Sequence, residues 1–341
     1  MKRPNFAQRL QYAFLNTSSA ALVFLIGICP LALARLLVSM AVFLGRFLHP
    51  GLIRLVNANL AVAFPNMQDA ERRRLALASL RHILWNGVET IKLLRHPERI
   101  SDMALTPDES IVGPYRNRPC VLCIPHLGNW EVLAQAVALW GINAAAVVAA
   151  IGTPTINRLL TKARTANGLQ IINQKGAARK VVRALQQNLC VGILIDQNVS
   201  PRHGGIFIDF FGLPAPTSRL PASLARKLNI DVLVGACIRQ PDGRFRLEIK
   251  HLSKPVADYD DDLSLTQDIL DATQALISLY PEQYTWLYRR WRYIPDNAPP
   301  ALTSAFPYYS IPRPYECDEQ LLATLTARVG SRDSTTPSQE E

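Results

Sequence analysis

From residue 120 to residue 250, short apolar runs alternate with stretches of helical periodicity. Strands are predicted at 120–124, 144–149, 169–172 and 190–195. The last is almost continuously hydrophobic, as a strand buried on both faces should be. Helices are predicted at 132–140, closed by Gly141, at 176–188, and from Thr153 to Asn167. Thr153 reads there as an N-cap with Pro154 at the first helical position and Gly168 just past the end. Farther on, 216–229 reads as a helix, 231–239 as a strand, and Asp242-Gly243 as a turn into a strand at 244–250. An amphipathic helix follows over 263–280. The fold class implied is α/β, a mixed, mostly parallel sheet flanked by helices with antiparallel strands at an edge.

The first 50 residues follow another rule. No charge occurs from Thr17 to Ala34, and Pro30 interrupts that run. Beyond Pro30, Arg35, Ser39, Arg46 and His49 fall within about 40° of one helical stripe, with Leu, Val, Met and Phe elsewhere. This is the pattern of a helix lying at a membrane interface with its basic residues among headgroups. Ala32-Leu33-Ala34 mimics a signal-peptidase site, but the leading region is long for a signal peptide. Basic residues on both sides give no clean single-span topology, so a hairpin broken at Pro30 or a short anchor plus an in-plane helix fits better. The expected organisation is a hydrophobic membrane-anchoring helical segment over 1–50, an α/β domain over 51–300, and an extension over 301–341. Its polar tail, 331–341, is expected to be disordered.

Composition narrows the class of protein. The 341 residues suffice for one large core without disulfides. Hydrophobic residues make up 49% of the chain, which is high for a soluble enzyme. The 37 Lys and Arg against 27 Asp and Glu give a net charge of +10, which suits anionic headgroups or an acidic carrier protein. No helix-turn-helix, zinc-finger or RNA-binding signature accompanies that charge, so nucleic acid is not an expected partner. Cys120 and Cys123 invite a zinc reading, but residues three apart in a strand point to opposite faces. The six cysteines therefore read as buried thiols, and neither metal nor cofactor is expected. The chain has no Gly-x-Ser-x-Gly elbow, P-loop or dinucleotide-binding glycine pattern, which argues against serine hydrolases, NTPases and Rossmann dehydrogenases.

The run His126-Leu127-Gly128-Asn129-Trp130-Glu131 carries the chemistry. It lies between a strand and a helix, with Asn129 as N-cap and Glu131 in the first turn, where a carboxylate is favoured. His126 then occupies the carboxyl end of a strand, the usual place for chemistry in an open α/β sheet. On one continuous helix the two side chains would diverge by about 140°, whereas a loop-to-helix transition lets them meet. An imidazole oriented by a carboxylate is a general base able to take a hydroxyl proton.

With its strand–loop–helix setting, this hexapeptide resembles the signature of the bacterial lipid A biosynthesis acyltransferases of lauroyl/myristoyl type, within the wider glycerolipid and lysophospholipid acyltransferase superfamily. The resemblance covers about residues 20–295. It includes Asn57-Ala58-Asn59-Leu60-Ala61-Val62-Ala63-Phe64-Pro65, the helix with Glu71-Arg72-Arg73-Arg74, and the segment 157–168 with Arg164. It continues through Asp196-Gln197-Asn198, Phe210-Phe211-Gly212 and the closing block Pro281 to Trp291. Where the family usually has His, this chain has Tyr288.

The resemblance implies transfer of a fatty acyl chain from an acyl carrier protein thioester to a hydroxyl of a lipid A precursor or related glycolipid. The setting implied is the cytoplasmic face of a bacterial inner membrane, with membrane lipids as further partners. His126 is then the general base and Glu131 its orienting partner. Arg164 is the candidate for the oxyanion, and Asp196 for orienting Arg164 or binding acceptor sugar. Asn129, Gln197 and Arg290 are candidate substrate contacts, with Arg289, Arg290 and Arg292 suited to acceptor phosphates. Three alternatives remain: an acyltransferase for a lysophospholipid, ornithine lipid or phosphoinositol mannoside; a thioesterase or lipid hydrolase using the same dyad with water; and a membrane-bound scaffold with a decayed site, against which the intact His126/Glu131 pair argues.

Overall fold

A computed structural model describes residues 6–149 and 153–333. Four helices lead: α1 (Phe6–Ile28), α2 (Leu31–Leu48), α3 (Pro50–Ala63) and α4 (Asp69–Arg95), then the single turns α5 (Ile100–Met103) and α6 (Glu109–Val112). The body runs β1 (Cys120–Ile124), α7 (Trp130–Ala136), β2 (Ala144–Val148), α8 (Pro154–Ala166), β3 (Gln170–Asn173), α9 (Ala177–Gln186) and β4 (Cys190–Leu194). It continues with β5 (Gly205–Phe210), β6 (Leu213–Ser218), α10 (Leu220–Leu228), β7 (Asp231–Arg239), β8 (Phe245–Lys250) and α11 (Asp262–Leu279). The chain closes with β9 (Tyr293–Pro295), α12 (Pro300–Ser304), β10 (Ile311–Arg313) and α13 (Glu319–Asp333). The expected tail at 331–341 thus begins inside a helix, and 334–341 lie outside the described residues.

The main sheet has the order β3-β2-β4-β1-β7-β8, parallel throughout except for β8, which returns antiparallel along β7 at the edge. This is the α/β class expected. Side-chain alternation in β1 divides the core in two. Val121 and Cys123 pack with Val181 of α9, Ala225 of α10 and Ile269 of α11, whereas Cys120 and Leu122 pack with Val132, Leu133 and Ala136 of α7. The two cysteines of the Cys-x2-Cys pair therefore lie on opposite faces. Register then positions the chemistry. Ile124 ends β1 opposite Leu194, the end of β4, so the residues two beyond each, His126 and Asp196, emerge side by side.

One expectation fails for a tertiary reason, and one helix shifts its bounds. The helix expected over 216–229 begins only at Leu220, because Pro216 to Ser218 belong to β6 and pair with β5. The β5–β6 hairpin turns on Phe211 and Gly212, both at positive φ (55° and 85°), the requirement of a tight two-residue turn. The helix expected over 132–140 is α7, which starts at Trp130 and is regular only to Ala136 before successive turns reach Gly141.

The N-terminal helices form a layer beside this body. Both α1 and α2 pack on α4, with the chain breaking between them at Cys29 and Pro30. Of α2 only Ala34, Val38 and Val42, a stripe of four-residue spacing, are buried. Leu36, Leu37, Met40, Phe43, Leu44 and Phe47 are exposed, Phe47 to 66%. This helix is long and apolar enough to cross a membrane. The Arg35/Ser39/Arg46/His49 stripe is divided: Arg35 and Ser39 line a cleft beside α4, Arg46 stacks on Phe43 and Phe47, and His49 caps the helix.

Candidate active site

The loop between β1 and α7 is tied down atom by atom. Asn129 caps α7 as its sequence implied, its side-chain oxygen accepting from the N–H groups of Glu131 and Val132 at 3.1 and 3.2 Å. Its backbone N–H donates to the Cys237 carbonyl (2.8 Å), and that of Gly128 to Gln283 (3.0 Å). Gly128 has a positive φ, and a Cβ there would collide with the Cys237 carbonyl. Two independent constraints therefore require glycine. Thr285 in turn donates its N–H to the His126 carbonyl at 3.0 Å.

His126 finds its carboxylate partner across the sheet. Its Nδ1 lies 2.7 Å from Asp196 Oδ1, and its backbone N–H donates to Asp196 Oδ2 at 2.8 Å. Both Asp196 oxygens are thereby used, and the imidazole is held with Nδ1 protonated and Nε2 as an acceptor. That edge faces the exposed Gln197, whose amide nitrogen is 3.4 Å from Nε2. Trp130 packs edge-on against the ring at 4.8 Å.

Burial is the largest influence on the His126 imidazole and pulls its pKa down. The charge and hydrogen bond of Asp196, with the charge of Glu131, outweigh it, so the net shift is upward. For Asp196, fully enclosed, burial pushes the carboxyl upward. The charge and hydrogen bonds of His126 and the charge of Arg290 outweigh that, and its pKa falls below the usual range.

Glu131 therefore does not hold the imidazole in place, as the sequence had suggested; it acts on it only as a nearby charge. Its carboxylate forms a two-pronged pair with Arg164 of α8, Nε to Oε2 at 2.8 Å and Nη2 to Oε1 at 2.5 Å. Both side chains are under a tenth exposed. Nor does Asp196 orient Arg164. The sheet register gives Asp196 to His126, and the first turn of α7 gives Glu131 to Arg164. Arg164 Nη1 takes part in no hydrogen bond among the described residues.

Arg290 is also placed differently from expectation. It is buried and donates to Asn198 Oδ1 and the Pro216 carbonyl, both at 2.9 Å, and to Thr217 Oγ1, with Phe210 beneath its guanidinium. It holds the β5–β6 hairpin to the Asp196-Gln197-Asn198 loop and is not presented to a phosphate. The flanking Trp286 and Trp291 are core residues, 1% exposed. Tyr288, at the departure from the family pattern, accepts the Asn198 N–H at 2.9 Å.

A supporting layer was not foreseen. Asn86 and His82 of α4 both donate to the Gly128 carbonyl, at 2.6 and 3.1 Å. Glu89, one turn on, accepts from Asn129 Nδ2 (3.2 Å) and pairs with Arg239, which also donates to Asn86 Oδ1 at 2.6 Å. Burial, with the Arg239 charge, lowers the His82 pKa to about 4, so it stays neutral. In α3, Asn59 donates to the carbonyls of Trp286 (2.6 Å) and Tyr288 (2.8 Å) and accepts from Tyr309. The only signal available was polar residues at four-residue spacing, such as His82 and Asn86, on an otherwise apolar helical face.

The family described as bacterial lipid A biosynthesis acyltransferase matches residues 4–293. A lipid A biosynthesis lauroyltransferase of Escherichia coli (strain K12) is 24% identical over 265 residues, covering 72% of this chain and 81% of that protein. By the extent of the family match, across the N-terminal helices, the whole α/β body and the closing Trp/Arg block, the chain belongs to the bacterial lipid A biosynthesis acyltransferase family.

Proposed function

We propose that this acyltransferase moves a fatty acyl chain from an acyl carrier protein thioester to a hydroxyl of a lipid A precursor, with His126 as general base. The observation that carries the reading is the division of labour on one ring: Nδ1 is tied to buried Asp196 while Nε2 faces the open side beside Gln197. In the forward step the acceptor hydroxyl gives its proton to Nε2 as its oxygen attacks the thioester carbonyl carbon. Collapse of the tetrahedral intermediate breaks the C–S bond, and the imidazolium returns the proton to the departing thiolate. Asp196 stabilises the imidazolium and fixes its tautomer. A thioester is already activated, so no acyl-enzyme is required.

Arg164 Nη1 supplies a donor to the developing oxyanion, a contribution of about 3–4 kcal/mol for one well-placed group. Glu131 then acts through Arg164, aiming the guanidinium. The exposed apolar faces of α1 and α2 support an inner-membrane location with the catalytic body on the cytoplasmic side, where an acyl carrier protein is accessible.

The test is purified protein with acyl carrier protein thioester, with and without a lipid A precursor, read by mass spectrometry. One added acyl chain on the precursor is the expected product. Free fatty acid at the same rate without acceptor would replace transfer by hydrolysis, and acylation confined to a lysophospholipid would replace the acceptor.

A further inference from the structure

A cavity lies apart from the His126 edge, on the α4 side of the 283–285 segment. Its volume is about 470 Å³, and it opens between α2, α4 and the β7–β8 turn. That size falls within the range of small-ligand sites. Its cationic wall is Arg35 from α2, Arg81 from α4 and Arg239 from the end of β7; Glu282 is the one acidic residue in its lining. Arg239 is engaged by Glu89 and Asn86. Arg35 and Arg81 have no hydrogen bond or ion pair among the described residues. Arg35 lies only over the ring of Trp85, 5.7 Å from its centre. Burial, and then the charge of Arg35, lower the pKa of Arg239, so these two guanidiniums repel one another across the cleft.

The apolar side of the same helix adds a second requirement. Arg35 and Ser39 face the cleft, while Leu36, Leu37 and Met40, interleaved with them along α2, are exposed. A ligand that fits both surfaces carries a phosphate for the arginines and an acyl chain for the outer face of α2. We propose that this cleft is a headgroup site for a phosphate-bearing amphiphile, gripped by Arg35 and Arg81 and backed by Arg239. The proposal rests on the placement of α2 in a lipid layer given above. The ammonium-free phosphate of a phosphomonoester or an anionic diester satisfies it; a zwitterionic headgroup does not, because its cation meets three guanidiniums.

Trp85 supplies a local reporter. The full chain in neutral detergent micelles is titrated with phosphatidic acid, phosphatidylglycerol, phosphatidylcholine and inorganic phosphate, following tryptophan emission with Trp85→Phe as the blank. The two anionic lipids should perturb Trp85 saturably, and Arg35→Gln with Arg81→Gln should raise the half-saturation about tenfold or more. Neither arginine is in a hydrogen bond or ion pair among the described residues, so the doubly substituted protein should keep its melting temperature. An equal response to phosphatidylcholine, or unchanged half-saturation in the substituted protein, would overturn the proposal. Saturation by inorganic phosphate at the same concentration as the lipids would make the site one for free phosphate and remove the amphiphile. Failure of the protein to enter micelles at all would strike the lipid-layer reading instead.

Discussion

Around His126 the carboxylates of Asp196 and Glu131 face inward and each is paired; on α2 the apolar groups face outward and most are uncovered. The first region buries Asp196 against an imidazole and Glu131 against a guanidinium. Such an arrangement is costly and survives because each of these carboxylates meets a partner of good geometry. The second leaves Phe43, Leu44 and Phe47 to the surroundings. The contrast separates two kinds of constraint. Stability at the site depends on complementarity among particular atoms, whereas the outer face of α2 depends only on what solvent it meets. Substitutions should therefore act on folding and chemistry in one region and on partitioning in the other.

The largest expected effect is His126→Gln, which keeps a donor near Asp196 but no base: acyl transfer should fall about 10²–10⁴-fold, measured as turnover in the purified protein. Comparable turnover in this variant would remove His126 from the chemistry. Next is the buried pair. Arg164→Met leaves Glu131 enclosed without its partner and should destabilise the protein by about 3–5 kcal/mol, read by denaturant unfolding in micelles. Combining it with Glu131→Leu should restore most of that stability while transfer stays impaired. Recovery of transfer together with stability would mean the pair is only structural.

How much of this was legible beforehand follows the range of the interactions. The bounds of β1 and β7, the Asn129 and Thr153 caps, and the alternation that defines the sheet all depend on residues within a few positions of each other. They could be read directly. The partner of His126 could not, because it is set by the pairing of Ile124 with Leu194, from strands far apart in the chain, and by nothing local. His126 and Glu131 are neighbours in sequence, and that proximity suggested the wrong carboxylate. Arg290 was misplaced for a related reason: an Arg amid aromatics looks the same whether it faces phosphate or anchors a hairpin. Phe210-Phe211-Gly212 could have been read as a turn, and with it β6 would have displaced the false helix start at Pro216.

On the outer face, Leu44→Gln and Phe47→Gln test the other half of the comparison. Both side chains are exposed, so unfolding free energy should change by no more than about 0.5 kcal/mol each. On the proposed placement of α2 in lipid, each removes a large apolar group from it, worth roughly 1.5–3 kcal/mol of transfer, and partition into anionic vesicles should weaken about tenfold or more per site. Sedimentation with vesicles measures it. If unfolding shifts and vesicle binding does not, α2 belongs to the folded core and not to a lipid layer.

The smallest effect is the one that separates the two carboxylates. With His126 as the proposed general base, transfer requires its neutral form, and kcat/KM should rise with pH along a limb whose midpoint lies above the ordinary imidazole value of about 6.5, as the net upward shift requires. Asp196→Asn removes the charge and leaves burial dominant, so the midpoint should move below that value. Glu131→Gln, whose influence on the ring is a more distant charge alone, should move it less. Stability follows the same linkage. The stabilisation from the depressed Asp196 carboxyl is present above the ordinary carboxylate range and lost as pH falls through its folded value. That from the raised His126 is present below about 6.5 and lost as pH rises through its folded value. The pair thus stabilises most between those two edges, and Asp196→Asn should flatten both. A midpoint that follows Glu131 and ignores Asp196 would return the orienting role to the carboxylate nearer in sequence.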